Sequence, residues 1–464
     1  RLIGTGEVGP LLNQAGGIVA PGHGIGVLTV AGDYESRGGT LQLEAVLGGD
    51  DSLADRLAIG GSTSGLTLVE VVNRGGAGAQ TVDGVLVVAV GGASNGAFTL
   101  ARGDLRLGRE NALVAGAYAY VLRQDVQGGD WKLRSSVNGE VGPPAPADPS
   151  RPAGDPGPPV DPAQPQATLY QPGVPIYEAY PQVLQAMNGL ATMRQRNGAQ
   201  WPGEERPGVW GRVEGRHLKA EPEVSTSQAK LKTDYWKVQF GVDHTLADGV
   251  AGGRLVGALT AHYAEAESAV ASPHGGGRVE GAAYGVGAIL TWMGASGAYI
   301  DAQTQASWFE TDLRSDILGD RVEGADANGY AFSIEAGRPV AAGRVFSLIP
   351  QAQLTYASVE FDTFVDRLGA RVSADQGDSL LGRLGLSLDR DWTGASAGGQ
   401  GRMYGVANLT HEFLDGSRVD VSGAPISNRA ERTWGGLAAG ASYAWGAGRY
   451  QVYGEGSIET SLSH

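Results

Sequence analysis

Residues 298–308 read AYIDAQTQASW. Ala298, Ile300, Ala302, Ala306 and Trp308 share one parity, and Asp301, Gln303, Gln305 and Ser307 the other. Successive side chains of a strand point to opposite faces, so this is a strand with one apolar and one polar face. The pattern recurs at 348–356, where Leu348, Pro350, Ala352, Leu354 and Tyr356 oppose Gln351, Gln353 and Thr355. It recurs again near the end, where Tyr450, Val452, Gly454, Gly456 and Ile458 oppose Gln451, Glu455, Ser457 and Glu459. Segments of about ten residues with this alternation, and with aromatic residues near their ends, mark a barrel facing lipid. A soluble antiparallel sandwich shares the period but turns its apolar face inward and has no need of so many long strands. In lipid an open edge has no water to satisfy it, so closure is required. Asp301, Gln303, Gln305, Gln351, Gln353 and Glu455 are expected to face the lumen.

Working outward, eleven such segments lie between residues 209 and 463. Bacterial single-chain barrels carry an even number of strands, so a twelfth is expected beyond His464. At the other end, Arg1-Leu2-Ile3-Gly4 opens without a signal peptide, so the start reads as a cut.

Before the barrel the chemistry changes twice. Residues 1–140 are rich in Gly, Val, Leu and Thr, in short apolar runs such as 26–30, 65–69 and 84–90, each close to a turn former. Short strands at such spacing suit a stacked solenoid, a β-helix. Residues 143–165 hold ten prolines. Proline fixes φ and removes a donor, so an extended tether is expected, up to about 70 Å long. A single helix is expected from Pro181 to Asn197, with Val183, Met187, Leu190 and Ala191 on one face, Pro181 in its first turn and Gly198 at its end. At 1.5 Å per residue it spans about 25 Å, near the height of a barrel's apolar band. Arg194 and Arg196 either pair with inward Asp301, Glu455 and Glu459 or stay solvated in a wet lumen.

Composition narrows the function. The chain of 464 residues contains no cysteine, which removes disulfides and thiol chemistry. A net charge of −15 argues against nucleic acid. No run of about 18 apolar residues provides a transmembrane helix. No cofactor is expected, and no phosphate-binding loop supplies nucleotide energy. The seven histidines lack metal-site spacing. Asp326-Ala327-Asn328-Gly329 is spelled like part of a calcium loop, but Gly324 stands where its first carboxylate belongs. Gly377-Asp378-Ser379-Leu380 is spelled like an esterase nucleophile block, and Gly394-Ala395-Ser396-Ala397-Gly398 like a nucleophile elbow. Ser379 falls within an alternating strand and no Asp-x-x-His follows it, so the strand reading is preferred. An outer-membrane esterase using Ser379 is kept as the alternative, and no enzyme is expected.

In order along the chain, Val174-Pro175-Ile176-Tyr177, the helix, Val209-Trp210-Gly211-Arg212, 350–354 and 379–385 resemble the type Va autotransporters, secretion proteins of Gram-negative outer membranes. The last three are similar to that family's first, seventh and eighth barrel strands. The resemblance implies an all-β architecture. Residues 1–140 are then the end of a pertactin-like passenger, a right-handed β-helix with an autochaperone end around Tyr118, Tyr120, Trp131 and Leu133. A Pro-rich linker follows over 141–174, then a pore-spanning helix over 175–200 carrying Val183, Leu184, Met187, Leu190, Arg194 and Arg196. Residues 201–464 are a 12-stranded barrel whose last strand is absent here. Implied too are an outer-membrane location with residues 1–140 extracellular, a monomer, and a passenger of adhesin or virulence type with a host-surface ligand. The implied partners are outer-membrane lipid, the barrel-assembly machinery and periplasmic chaperones. Vectorial folding of the passenger is the family's driving force for export. Two departures stand out. Met193-Arg194-Gln195-Arg196 replaces a Leu-His-Asp-Arg common in the family, and no Asn-Asn pair offers intra-barrel self-cleavage.

Overall fold

The computed structural model describes residues 1–125, 128–138, 166–198, 208–318, 321–323, 326–343, 345–393, 399–446 and 448–462. The Pro-rich stretch 143–165, Gly324 and the elbow-like 394–398 lie outside the described residues.

The alternating segments form a meander of antiparallel strands: β1 (Gly208–Ala220), β2 (Lys230–Val250), β3 (Gly253–Ala271), β4 (Gly277–Gly294), β5 (Tyr299–Ser315), β6 (Ala327–Gly337), β7 (Phe346–Phe361), β8 (Asp378–Thr393), β9 (Gln400–Glu412), β10 (Thr433–Trp445) and β11 (Tyr450–Ser461). Each pairs with the next in chain order, as in the unbroken register from Tyr299↔Gly337 to Phe309↔Ala327 between β5 and β6. Among the described residues β1 and β11 are not paired with each other.

The parity read from the sequence sets the two faces. Asp301 is fully buried, while Ile300 and Trp308 are each 47% exposed. Phe240, Leu259, Val286, Phe332, Ile334, Leu384, Leu386 and Leu437 are also exposed outward, an apolar belt that only lipid matches. Two aromatic girdles bound it. Tyr263 lies opposite Tyr284, and Tyr284 opposite Trp308. At the other rim Trp392, Tyr443, Trp445 and Tyr450 follow one another with centroids 5.6, 6.0 and 5.7 Å apart. Tyr284 and Trp292 bracket the belt on β4, about 27 Å apart along the strand. Beyond the upper girdle the exposed outward residues turn charged, with Lys232, Asp234, Glu265, Glu267, Arg278, Glu280 and Glu310 standing in water.

At that charged end, three inter-strand loops contribute Val224–Ser225, Phe364–Val365, Arg371–Gln376, Ser417–Val421 and Ala424–Arg429 to a five-stranded cap sheet. Val372, Val419, Val421 and Ile426 bury their side chains beneath it.

Residues 1–134 stack as a β-helix. One parallel sheet runs through Leu2–Gly4, Ile18–Pro21, Tyr34–Ala45, Thr63–Asn73 and Ala97–Leu100, and a second through Gly6–Val8, Val27–Val30, Arg56–Ile59 and Val85–Val90. The register repeats from rung to rung: Val30 pairs with Ile59, and Ile59 with Val90. At Gly65 φ is +78°, and a Cβ would lie 1.9 Å from the Ser36 carbonyl oxygen, so only glycine fits there. The stack then ends. Leu105–Leu107, Glu110–Ala115, Tyr118–Gln124 and Trp131–Arg134 pair antiparallel, and the last returns to Val85–Val90. A stack of identical rungs leaves an open end that must be covered, and this meander covers it. Tyr34, Phe98 and Trp131 line up along the axis, with centroids 6.0 and 5.4 Å apart. Trp131, Leu133 and Tyr120 are fully buried. The Tyr120 hydroxyl accepts from the Ala79 N–H at 2.8 Å and donates to the Gly48 carbonyl at 2.9 Å.

The described residues that flank the undescribed 139–165 lie side by side: Ser136–Asn138 pairs antiparallel with Gln166–Thr168. Residues 166–168, expected as linker, are strand.

Trp131 closes the aromatic column. Trp131→Ala should destabilise the β-helix end by about 3–5 kcal/mol, read as a lower denaturation midpoint for this part with the barrel's heat stability unchanged.

Candidate functional site in the barrel lumen

The lumen is occupied by the chain itself. Helix α1 (Val174–Met187) opens with Pro175 in its first turn and carries Pro181 inside, and α2 (Met193–Asn197) follows a break. This corrects the single helix expected from Pro181 to Asn197. Proline withholds one helix bond but does not prevent a helix that is packed on all sides. The break falls at Asn188-Gly189, two weak helix formers. Thr192 then restarts the helix: its hydroxyl accepts from Gln195 N at 3.1 Å, and the Gln195 side chain accepts from Thr192 N at 3.1 Å. This capping box was spelled in the sequence as Thr192-Met193-Arg194-Gln195. Gly198 ends α2 with φ +64°, as expected.

Along α1 the contacts are apolar. Val174, Ile176, Tyr180, Val183, Leu184 and Met187 share a buried cluster with Leu231, Val270, Val279, Phe309, Leu313 and Phe361 of the wall. The wall leaves room with small residues: a Cβ on Gly281 would lie 3.1 Å from Met187 Cε. Leu190 is only half-buried.

At the break, carbonyls lose their helical partners and the wall supplies new ones. Lys237 Nζ donates to Gly189 O at 3.1 Å, Gln303 Nε2 to Ala191 O at 2.9 Å, and Gln305 Nε2 to Asn188 O at 3.3 Å. The Asn188 amide donates to the Tyr330 and Ser358 carbonyls at 3.1 and 3.2 Å and accepts from Ser307 Oγ at 3.1 Å. Asn188 and Lys237 carried no signal in the sequence beyond parity.

Below the break the contacts are ionic. Arg196 grips Asp301 with two nitrogens, at 2.7 and 3.2 Å, and both residues are excluded from water. Thr291 Oγ1 and Gln303 Nε2 complete the Asp301 carboxylate at 2.5 and 3.0 Å. Arg194 lies 2.9 Å from Asp389, with its guanidinium 4.3 Å above the Tyr404 ring. Glu455 accepts from Gln195 Nε2 and Tyr404 OH, each at 3.1 Å, and so takes neither arginine. Glu459 is exposed. Glu335 accepts from Met193 N at 2.9 Å and lies 3.3 Å from Arg383, which also reaches Gln351 and Gln353. Of the alternatives open for the arginines, pairing holds for both. Arg194 pairs with Asp389, which parity places inward but which was not singled out.

The outer mouth is tied to the cap. Glu178 of α1 accepts from Ser225, from Ser227 N at 2.7 Å and from Asn428 Nδ2 at 3.0 Å. Asp366 accepts from Gln171 Nε2 at 2.7 Å, Tyr177 OH at 2.9 Å and Ala370 N at 2.8 Å. His274 Nδ1, in the β3–β4 loop, accepts from Tyr170 N at 3.4 Å.

The esterase alternative finds no support in this geometry. Ser379 is the second residue of β8, and its hydroxyl donates to the Glu412 carboxylate, which also accepts from Leu380 N at 2.9 Å. His411 is bonded to Thr433. Among the described residues no histidine is hydrogen-bonded to Ser379, and none form a group of three His, Asp or Glu suited to a metal.

Residues 209–457 match the family described as "Autotransporter beta-domain", and residues 8–122 match "Autochaperone Domain Type 1". The chain is 41% identical to the Adhesin BmaC autotransporter of Brucella suis biovar 1 (strain 1330), over 97% of this chain but only 13% of that protein. It is 30% identical to the Uncharacterized protein YdeU of Escherichia coli (strain K12), over 81% of this chain and 80% of that one. The solved transport unit of the autotransporter AIDA-I from Escherichia coli shares the fold, with a TM-score of 0.54 at 19% identity, over 63% of this chain and 94% of that one.

Removing one partner of a buried ion pair strands the other. Asp301→Ala should lower barrel stability by about 3–5 kcal/mol, measured by heat-dependent gel mobility in detergent, and pairing it with Arg196→Met should recover most of the loss. Burial lowers His274 from its ordinary 6.5 to about 4. The folded chain therefore binds fewer protons than the unfolded one between those values. This contribution to stability is complete above about 6.5, falls as pH falls, and is fully lost below about 4. His274→Asn should flatten that part of a stability–pH curve.

Proposed function

The chain belongs to the autotransporter family, and on that premise we propose that residues 208–462 carry the passenger end, residues 1–138, to the cell surface and hold it there. The barrel sits in the outer membrane. The observation that carries this reading is the path of the chain. From strand 166–168 beside the β-helix it enters the cap end of the lumen, descends through α1 and α2, and continues into β1 after residue 198. A chain that has passed outward through its own barrel ends in this arrangement.

The roles follow from position. Val183, Leu184, Met187 and Leu190 fill the lumen, and Arg194 and Arg196 fix the lower end of the segment. Tyr118, Tyr120, Trp131 and Leu133 close the β-helix and, as its autochaperone end, fold first outside the cell to template the rungs before them. Barrel-assembly machinery and periplasmic chaperones are the partners during insertion, and the mature unit is a monomer. The likeness to a Brucella adhesin supports an adhesive passenger with a host-surface ligand. The chain spans 13% of that protein's length.

Protease added to intact cells should cut the chain ahead of the barrel, read on a denaturing gel as loss of the full-length chain while β1–β11 persist. If residues 1–138 were cut only after the outer membrane was permeabilised, the display reading would fall. Deleting 174–198 should raise single-channel conductance in planar bilayers, because the lumen loses its filling.

A further inference from the structure

Residues 166–171 follow the Pro-rich stretch, yet they belong to the β-helix end. The strands Tyr118–Gln124 and Trp131–Arg134 are paired along their shared length and diverge beyond it. Residues 166–171 insert between the diverging ends. On one side Thr168 lies opposite Ser136, and Leu169 N donates to Ser135 O at 2.7 Å. On the other side Ala119 N donates to Leu169 O and Gln171 N to Ala117 O, each at 2.9 Å. Leu169 is buried with Leu105, Ala112, Val114, Ala119 and Val121, and Leu368 of the β7–β8 loop packs on the same cluster. The Tyr118 ring lies 5.6 Å from Tyr170, and Tyr170 lies 5.2 Å from His274 of the β3–β4 loop. The turn at Gly116, with φ +54°, lies so close to the cap that a Cβ would stand 2.9 Å from the Ser422 Cβ.

Residues 1–138 thus meet the rest of the chain by backbone hydrogen bonds on both sides of one strand, by an apolar cluster and by two loops of the barrel, while a third loop, at His274, holds Tyr170 of the inserted strand. None of these contacts needs the peptide bonds between 138 and 166. We propose that residues 166–171, with the cap surface around Leu368, His274 and Ser422, form a self-sufficient attachment site for residues 1–138. A passenger severed within 139–165 therefore stays bound to its own barrel. The mode is strand insertion, in which main-chain bonds give affinity and a side-chain cluster gives register. Its biological use rests on the display reading, but purified protein tests it separately.

A site-specific protease sequence is inserted between Asp155 and Pro156 of the full chain, lengthened until cutting in detergent is complete. Co-elution of the two fragments on gel filtration without denaturant is expected, and their separation would overturn the proposal. Ser136→Cys with Thr168→Cys gives a second measurement in a chain with no other cysteine. The two face each other at a pair whose flanking residues carry the hydrogen bonds, a spacing that a disulfide spans. After oxidation the cut fragments should stay linked on a denaturing gel until reduced, and failure to link would overturn the strand insertion. Leu169→Asp places a charge in the cluster and should raise the released fraction about tenfold or more after cutting. The barrel's heat-dependent gel mobility serves as its folding control. Unchanged release from a barrel that passes this control would overturn the role of the cluster.

Discussion

A sheet in lipid must send every unmet polar group inward, and the rest of this structure depends on that constraint. With the outer face committed to an apolar belt, the inner face of β1–β11 holds the barrel's hydrogen-bonding capacity within the bilayer. Any segment lying in the lumen must answer that capacity. The segment 174–198 does so in two ways along its length. It is apolar where the wall is apolar, and it breaks or carries arginine where the wall offers amides and carboxylates.

The break at Asn188-Gly189 is therefore part of the fit. A continuous helix would keep its carbonyls to itself and take one acceptor each from Lys237, Gln303 and Gln305 in a nearly dry interior, which is costly. Opening the helix there exchanges a few internal bonds for bonds to three wall side chains on β2 and β5. The Arg196–Asp301 and Arg194–Asp389 pairs work under the same rule: each charge is tolerated because its partner and further donors surround it. At the outer mouth Glu178 and Asp366 repeat the device with backbone N–H groups and hydroxyls of the cap.

Above the membrane the logic is that of a soluble protein. The β-helix hides its last rung under an antiparallel meander, and that meander accepts one more strand from beyond the Pro-rich stretch. The display unit is thereby continuous with the translocating unit through paired strands as well as through the covalent chain.

The period-two alternation of 298–308 and its counterparts established the barrel, its inward residues and its strand bounds to within a few residues. A strand's two faces are a local property of the chain, and lipid makes their contrast strong. Short Gly-bounded apolar runs likewise showed the solenoid, and the inward placement of Asp301, Gln303, Gln305 and Gln351 followed from parity alone. What the sequence left open depends on contacts between residues far apart in the chain. Whether Arg194 meets Glu455 or Asp389 turns on where α2 stops along the barrel axis, which the break and the wall amides set together. Pro181 read locally as a helix start, because the packing that tolerates it inside α1 comes from strands more than forty residues away. The ten prolines read as a spacer because composition reports stiffness. Only the tertiary pairing of Ser136–Asn138 with Gln166–Thr168 brought the residues on either side of it together.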